Sequence, residues 1–450
     1  MKQIQPPRII PRQDHPISRS MISPNVIKIL YRLKDNGHTA FLVGGGVRDL
    51  LLGREPKDFD VATDATPGRI KKLFRNCRLV GRRFRLAHLH FTDEIVEVST
   101  FRGTYTEESA EDQTTVPQGD EENANPRRQV REDGLVLRDN VFGSPADDAH
   151  RRDFTVNALA YNISDFSILD YVGGMEDLER GVIRTIGEPS LRFTEDPVRM
   201  LRAVRFGALL GFTFDEMTWQ ALVENASGIT RATPPRLYEE ILKLFLSGEG
   251  EAIYQHLRLG GLFAPLFPGF SQWLERETDG FPHVRISKNL EWLDERTSGG
   301  TPVSPPLMLS LMFGEYLEEM ASFYRKQGVS PLDATQAAVA DFMGEQAPFV
   351  AIPHRVALAV RDIMVLQYRF RKMPGKRPQS VLARPGFPDA LAYLLCQSET
   401  TGEGADIYTW WQSYAKDQVL PPAALQIDTV AQRPKKRRRR RKGKAPATPL

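Results

Sequence analysis

The sequence predicts an α+β head built on a mixed sheet, followed by an all-α neck, body and tail. Two observations favour this class. Apolar runs of strand length alternate with helical patterns as far as residue 187, whereas the apolar spacing is helical from residue 190 onward. The chain has 450 residues, 41% of them hydrophobic and 26% charged, which is enough for several domains of ordinary globular composition.

Composition divides the chain further. The first residues are rich in Pro and Arg, and a later stretch is polar and acidic, which is typical of flexible segments. We therefore expect a flexible lead-in at 1–21, a head at 22–187 with a flexible loop at 104–133, a helical neck at 188–270, a helical C-terminal domain at 271–425 and a disordered basic tail at 426–450.

The elements of the head follow from short patterns taken in order. Thr66 and Pro67 are an N-cap and a first helical residue, so a helix is expected from there to about residue 74. Helices of the neck are expected to start at Asp196, Met217 and Pro235. Strands are expected at 40–43, near 57–60, and at 77–80, 86–91, 94–101, 166–172 and 182–186, and C-terminal helices near 251–259, 306–326, 331–343, 353–371 and 388–396.

No apolar run approaches the length of a membrane span, and the first twenty residues lack the apolar core of a secretory signal. Cys77 and Cys396 are the only cysteines, so the sequence indicates neither a disulfide framework nor a cysteine-based metal site. These features favour a reducing, cytoplasmic compartment.

The net charge of +3 conceals a strongly basic tail. Residues 433–444, RPKKRRRRRKGK, carry ten positive side chains and no acid, so the remainder of the chain has a net charge of −7. A mildly acidic body with such a tail favours a polyanionic partner. A localisation signal or a merely solvated tail is the alternative.

The strongest chemical signal lies in residues 41–62, FLVGGGVRDLLLGREPKDFDVA. A buried strand leads into three glycines and then a helix, an arrangement that brings bare backbone N–H groups toward a polyphosphate. Asp58 and Asp60 are placed on the next strand, where alternate residues share a face, so the two carboxylates are expected side by side. A cation between them would relieve their repulsion. Together these features indicate metal-assisted phosphoryl or nucleotidyl transfer.

Three other segments carry candidate functional side chains. Residues 151–157, RRDFTVN, combine fixed guanidinium forks for phosphate with an acid and an amide that could hold ribose hydroxyls. In residues 195–205, EDPVRMLRAVR, three arginines recur at helical spacing on one stripe. Solvated charged surfaces are the alternative for both. Glu97, on a neighbouring strand, either joins the two aspartates or forms a structural salt bridge.

These residues resemble the motifs of bacterial poly(A) polymerases and CCA-adding tRNA nucleotidyltransferases. The matching segments are GG-x-VRD at 44–49, D-x-D at 58–60, RRD-x-x-x-N at 151–157 and E-D-x-x-R at 195–199. The resemblance implies a nucleotidyltransferase-type head in which Asp58 and Asp60 hold Mg²⁺ and Asp153 has a catalytic or sugar-positioning role. It also implies a nucleotide site formed by Gly45, Arg48, Arg152, Asn157, Asp196, Arg199 and Arg202.

The implied base-reading pair has a chemical limit. Asp196 would accept a proton from an exocyclic amine and Arg199 would donate to the adjacent ring nitrogen. Adenine and cytosine share this pattern, whereas guanine and uracil invert it. The pair therefore explains a preference for ATP and CTP and does not separate the two.

We expect an enzyme that adds AMP from ATP to RNA 3′ ends and releases pyrophosphate. The segment LVGRRFRLAH at 79–88, the lead-in and the basic tail resemble the poly(A) polymerase branch, so non-tRNA transcripts are the favoured partners. The neck and C-terminal domain would then bind RNA. The alternatives are a CCA-adding enzyme and a catalytically dead RNA-binding protein. The intact aspartate pair argues against the second.

Overall fold

The computed structural model describes residues 6–418, except 82–84, 104–127, 131–135, 140–141, 277–281 and 373–376. Its strands are β1 (Arg8–Ile10), β2 (Ala40–Val43), β3 (Asp60–Thr63), β4 (Cys77–Val80), β5 (Leu86–His90), β6 (Ile95–Thr100), β7 (Arg128–Val130), β8 (Val136–Asp139), β9 (Ala160–Asn162), β10 (Ile168–Asp170), β11 (Val182–Ile183) and β12 (Thr213–Phe214).

The helices run throughout the described chain and dominate after residue 188. They are α1 (Pro24–Asp35), α2 (Gly45–Leu51), α3 (Pro67–Leu73), α4 (Pro145–Arg151), α5 (Gly174–Arg180), α6 (Pro189–Glu195), α7 (Val198–Leu210), α8 (Glu216–Asn225), α9 (Pro234–Phe245), α10 (Gly250–Leu259), α11 (Phe263–Leu266), α12 (Pro268–Leu274), α13 (His283–Ser298), α14 (Pro305–Lys326), α15 (Pro331–Gln346), α16 (His354–Phe370), α17 (Pro378–Leu382), α18 (Phe387–Thr401) and α19 (Ala405–Asp417).

A mixed sheet organises the head, as predicted. Within the described residues it has eight strands in the order β1-β10-β9-β2-β3-β6-β5-β4. Strands β3 and β6 are parallel, and the other pairs in this sheet are antiparallel. All four residues of β2 are buried in the centre of the sheet, so the glycine turn that follows β2 begins there.

Local capping explains where several elements begin. Helix α3 starts at Pro67 with the Thr66 side chain accepting from the Arg69 N–H, as the sequence predicts. Helices α13 and α19 were not predicted. Neither has a side-chain cap, since Pro282 and Gly404 precede them, and the usual start signal is absent.

The first residues correct the prediction of a flexible lead-in. Arg8–Ile10 forms the edge strand β1, which pairs antiparallel with β10. Ile10 is 5% exposed and Ile17 is fully buried, and the ring nitrogen Nε2 of His15 lies 2.8 Å from the carbonyl oxygen of Phe166. Apolar side chains that are spaced irregularly among prolines give no periodic signal. Their burial against the sheet is therefore not visible in the sequence.

The other predicted boundaries are only partly reflected in the described residues. The antiparallel pair β7–β8 begins inside the stretch expected to be a flexible loop, most of which lies outside the described residues. Strand β11 of the head pairs in parallel with β12 of the neck, across the boundary expected at residue 187. Head and neck are therefore joined by backbone hydrogen bonds. Residues 419–450, which include the whole of the predicted basic tail, lie outside the described residues.

The C-terminal helices pack around α14, which contacts α15, α16 and α18. Met308, Met312 and Phe313 are buried along its length. One hydrophobic cluster runs from the head through the neck into this bundle. No helix in the described residues is both long and apolar enough to cross a membrane.

The burial of the N-terminal segment gives a stability test. Ile17→Ala should lower the free energy of unfolding by about 2–4 kcal/mol, because a fully buried isoleucine leaves a cavity. Ile9→Ala is the matched control, since Ile9 is 60% exposed and should cost less than about 0.5 kcal/mol. Urea unfolding curves measure both, and equal losses would contradict the packed N-terminal segment.

Candidate active site

The glycine turn at the end of β2 is shaped by contacts that only glycine permits. Gly44 has φ +79° and ψ −145°, a conformation that residues with a Cβ rarely adopt. A Cβ there would lie 3.1 Å from Nη1 of Arg152 and 3.6 Å from Oδ2 of Asp60. A Cβ on Gly46 would lie 3.3 Å from the carbonyl oxygen of Asp58. The turn therefore holds both aspartates and Arg152 against its backbone.

The prediction that the two aspartates share a strand face is wrong. Strand β3 begins at Asp60, so Asp58 lies on the preceding loop and is exposed. The loop nevertheless keeps the two carboxylates close enough to repel, because the charge of Asp58 contributes to the raised pKa of Asp60. The carboxylate pair is therefore present, with a different backbone origin.

Glu97 joins this cluster through the sheet register. It is the partner of Asp60 in the parallel pair β3–β6. Burial and the charge of Glu97 raise the pKa of Asp60 to about 6, with Arg152 acting in the opposite direction. Oε2 of Glu97 also lies 3.5 Å from Nε2 of His88, so both alternatives left open by the sequence apply.

The carboxylates suit a hard divalent cation, which prefers oxygen ligands. Asp58 and Asp60 are the predicted ligands, and a cation beside them would offset the burial and the charge of Glu97 that raise the pKa of Asp60. Among the described residues, no three Asp, Glu, His or Cys side chains converge as a closed metal site. An ion here would need further oxygen ligands from substrate or water.

Arg152 is oriented beside the turn by two hydrogen-bonded partners. Its Nη2 and Nε donate to Oδ2 of Asp148 at 3.0 and 3.2 Å, and its Nη1 donates to the carbonyl oxygen of Asn157 at 3.3 Å. Asp148 itself is buried and was not recognised from the sequence. Its position one helical turn before Arg152 was the available signal.

A second network runs from the head into the neck. Arg48 donates from Nη1 to Oδ1 of Asn157 at 2.6 Å, and Nδ2 of Asn157 donates to Oδ1 of Asp153 at 3.3 Å. Nε of Arg202 donates to the other oxygen of Asp153 at 2.7 Å. Gly45 lies directly against Arg48, since a Cβ on Gly45 would be 3.5 Å from Nη2 of Arg48. Five predicted site residues are thus brought together.

Asp153 is engaged on both oxygens. Burial alone would raise its pKa, but the ion pair and hydrogen bond of Arg202, with hydrogen bonds from Asn157 and the Phe154 N–H, lower the pKa to about 2. A group that accepts a proton in catalysis needs a pKa near the working pH. This geometry favours the sugar-positioning alternative for Asp153 over proton transfer.

The predicted base-reading residues lie at the start of α7 and are held by neighbours. Both carboxylate oxygens of Asp196 accept from Arg236, each at 2.8 Å. Nη1 of Arg199 donates to the carbonyl oxygen of Arg192 at 2.9 Å and to Oε2 of Glu195 at 3.2 Å. Arg236 therefore fixes Asp196, the predicted base-reading acid.

Arg192 ties this group to the rest of the site and was missed in the sequence. Its Nη2 donates to the carbonyl oxygens of Arg151 and Arg152 at 2.7 and 2.5 Å. Those residues directly precede Asp153, so the base-reading group and the Asp153 network are one connected structure. Nothing in the local pattern around Arg192 signals contacts made forty residues away.

Family models match three parts of the chain. "Poly A polymerase head domain" matches residues 40–184, "Probable RNA and SrmB- binding site of polymerase A" matches residues 211–274, and "Polymerase A arginine-rich C-terminus" matches residues 327–444. The first covers the glycine turn, the carboxylates and Asp153.

Curated relatives agree along nearly the whole chain. Poly(A) polymerase I of Salmonella typhi is 44% identical over 96% of this chain and 90% of its own length, and that of Haemophilus influenzae is 38% identical over 88% and 86%. The CCA-adding enzyme of Bacillus subtilis is 34% identical over 59% of this chain and 61% of its own length, so the similarity to that branch is more limited.

A solved structure shares the fold. The Bacillus stearothermophilus CCA-adding enzyme in complex with CTP superposes with a TM-score of 0.60 at 25% identity, covering 88% of this chain and 82% of that one. This confirms the predicted nucleotidyltransferase architecture. Given the identity over nearly the full length to several poly(A) polymerases, the chain belongs to the bacterial poly(A) polymerase family of nucleotidyltransferases.

Proposed function

We propose that this poly(A) polymerase joins AMP from ATP to the 3′-hydroxyl of RNA at the glycine turn, with Asp58 and Asp60 as the ligands of Mg²⁺. The observation that carries this assignment is geometric: a Cβ on Gly44 would lie 3.6 Å from Oδ2 of Asp60, one on Gly46 would lie 3.3 Å from the backbone of Asp58, and Glu97 is the register partner of Asp60. Membership of the family supports a divalent ion, and the oxygen-only ligands favour Mg²⁺.

The reaction balances as a simple displacement. The RNA 3′-hydroxyl loses its proton to water and its oxygen forms a bond to the α-phosphorus of ATP. The bond from that phosphorus to the β-phosphate oxygen breaks, and pyrophosphate leaves. When bound, Mg²⁺ favours deprotonation of the 3′-hydroxyl and offsets charge on the attacked phosphate. In this proposal the phosphates are held by the Gly44–Gly46 backbone with Arg48, Arg152 and Arg202. Each of these arginines is oriented by a neighbouring acid.

Asp153 and Asn157 hold the ribose in this proposal. Asp153 stays ionised and fixed, so it can accept from a sugar hydroxyl without taking up a proton. Asp196 and Arg199 contact the base edge. Arg236 fixes the orientation of the Asp196 carboxylate by donating to both of its oxygens. The RNA favoured is a non-tRNA transcript, and residues 433–444 would add contacts to its phosphates.

The direct test offers purified protein two RNAs, an unstructured transcript and a tRNA lacking its CCA end, each with ATP or CTP. Long adenylate additions to the unstructured RNA support the proposal. Preferential addition of CMP to the tRNA would contradict it and favour the CCA-adding alternative.

Replacing Asp60 should lower the activity and raise the stability of the protein. Asp60→Asn removes a metal ligand that contributes several kcal/mol, so addition should fall by about a hundredfold or more. The folded pKa of Asp60, about 6, lies above its usual 3.8, so its charge destabilises the fold fully above pH 6 and ceases to do so below about pH 4. In EDTA at pH 7.5 the variant should therefore be more stable by about 1–2 kcal/mol.

The two halves of this prediction need separate measurements. Single-turnover addition gives the rate, and thermal unfolding in EDTA at pH 4 and 7.5 gives the stability difference, which should shrink at the lower pH. Asp35→Asn, an exposed carboxylate at the end of α1, is the control and should alter neither. An Asp60→Asn variant with normal rate at saturating Mg²⁺ would contradict the ligand assignment.

Base choice should depend on Arg199 and on the brace behind Asp196. Arg199→Ala should lose discrimination against GTP and UTP, and Arg236→Leu should lose part of it because Asp196 is released. Ratios of kcat/KM for the four nucleotides measure the effect, with the exposed Arg180→Ala as control. If all four nucleotides slowed equally, these residues would serve phosphate binding or structure and not base recognition.

A further inference from the structure

One half-buried ring, Phe206, has three guanidinium groups around it. The central carbon of Arg48 lies 5.1 Å from the ring centroid, and those of Arg202 and Arg205 each lie 5.2 Å from it. All three are within the range of a cation–π contact. The edge-to-face contact with buried Phe154, at 5.9 Å between centroids, fixes the ring from within the head.

The three cations come from both sides of the head–neck boundary. Arg48 is on α2, directly after the glycine turn, whereas Arg202 and Arg205 are on α7, one turn apart. Phe206 is itself on α7. The ring is therefore a common contact for a phosphate-side cation of the head and two cations of the neck.

The charges in this cluster are incompletely matched. Arg48 and Arg202 have close carboxylate partners, but Nη1 of Arg205 is 3.8 Å from Glu240, whose other oxygen accepts from Lys243 at 2.7 Å. Nε of Arg205 is buried with no hydrogen-bond partner in the described residues. Burial, then the charges of Arg202 and Arg48, lower the pKa of Arg205. The charge of Arg205 is thus compensated only in part by its neighbours, and a nearby polyanion would complete that compensation.

We propose that Phe206 is a positioning residue for the triphosphate of ATP, because its ring holds Arg48 and Arg202 at a fixed separation through cation–π contacts. The inference rests on the proposed role of those two arginines in binding the nucleotide. An aliphatic side chain would fill the same space without the negative ring face that draws guanidinium groups together.

The experiment compares Phe206→Leu with Phe206→Tyr and Phe206→Trp in the full-length enzyme. Phe206→Leu should raise the KM for ATP and the inhibition constant of pyrophosphate about tenfold each, corresponding to about 1.4 kcal/mol. The KM for RNA should not change. The aromatic variants should restore both constants, because their rings bind cations at least as well. Phe212→Leu, at another half-buried neck phenylalanine, which packs over Gly181, is the matched control.

Three results would overturn the inference. The first is Phe206→Leu with wild-type KM for ATP and wild-type inhibition by pyrophosphate. The second is equal impairment in the Tyr and Trp variants together with a lowered Tm, which would assign the residue to packing. The third is an equal loss for Phe212→Leu. Wild-type protein that adds no adenylate to RNA would instead overturn the proposed function, and this control is measured first.

Discussion

The ion pair between Asp153 and Arg202 is the contact on which the site depends. It joins a short turn of the head to α7 in the neck, and its carboxylate is sheltered from water, whereas the Arg202 side chain is 34% exposed. A buried carboxylate is costly unless it is paired and hydrogen-bonded, and here the Asn157 amide and a backbone N–H complete the set. Through Asn157 the same pair also fixes Arg48, so phosphate-binding and neck residues share one support.

Two clusters of like charge lie on either side of that support. Carboxylates gather at the N-terminal end of β3, where they raise the pKa of Asp60, and guanidinium groups gather around Phe206. Each cluster is unfavourable in isolation and each is complementary to one part of the reacting system, the carboxylates to a cation and the guanidinium groups to phosphates. Burial of Asp60 in one cluster and of Arg205 in the other keeps water from fully screening this repulsion.

The sequence predicted what is local and missed what is distant. The glycine turn, the aspartate pair and the capped helices were predictable because their residues lie within one or two turns of each other. Asp58 was predicted on the strand but lies before it, because residue patterns locate the ends of strands poorly. The contacts of Arg236 with Asp196, of Arg192 with the head carbonyls and of Phe206 with Arg48 join residues 40 to about 160 positions apart, and no local pattern reports them. The edge strand β1 was missed for the same reason.

If Asp196 and Arg199 read the base as proposed, the choice between ATP and CTP must follow from spacing and not from this pair. Adenine and cytosine offer the same amine and ring nitrogen to Asp196 and Arg199, so hydrogen bonding alone does not distinguish them. The purine amine lies farther from the ribose, and therefore farther from a phosphate group held at the glycine turn. Discrimination must then come from the distance between that turn and the start of α7. Arg202 and Arg192 connect these two places through Asp153 and the adjoining carbonyl groups, so in this proposal the ATP preference depends on the head–neck contacts.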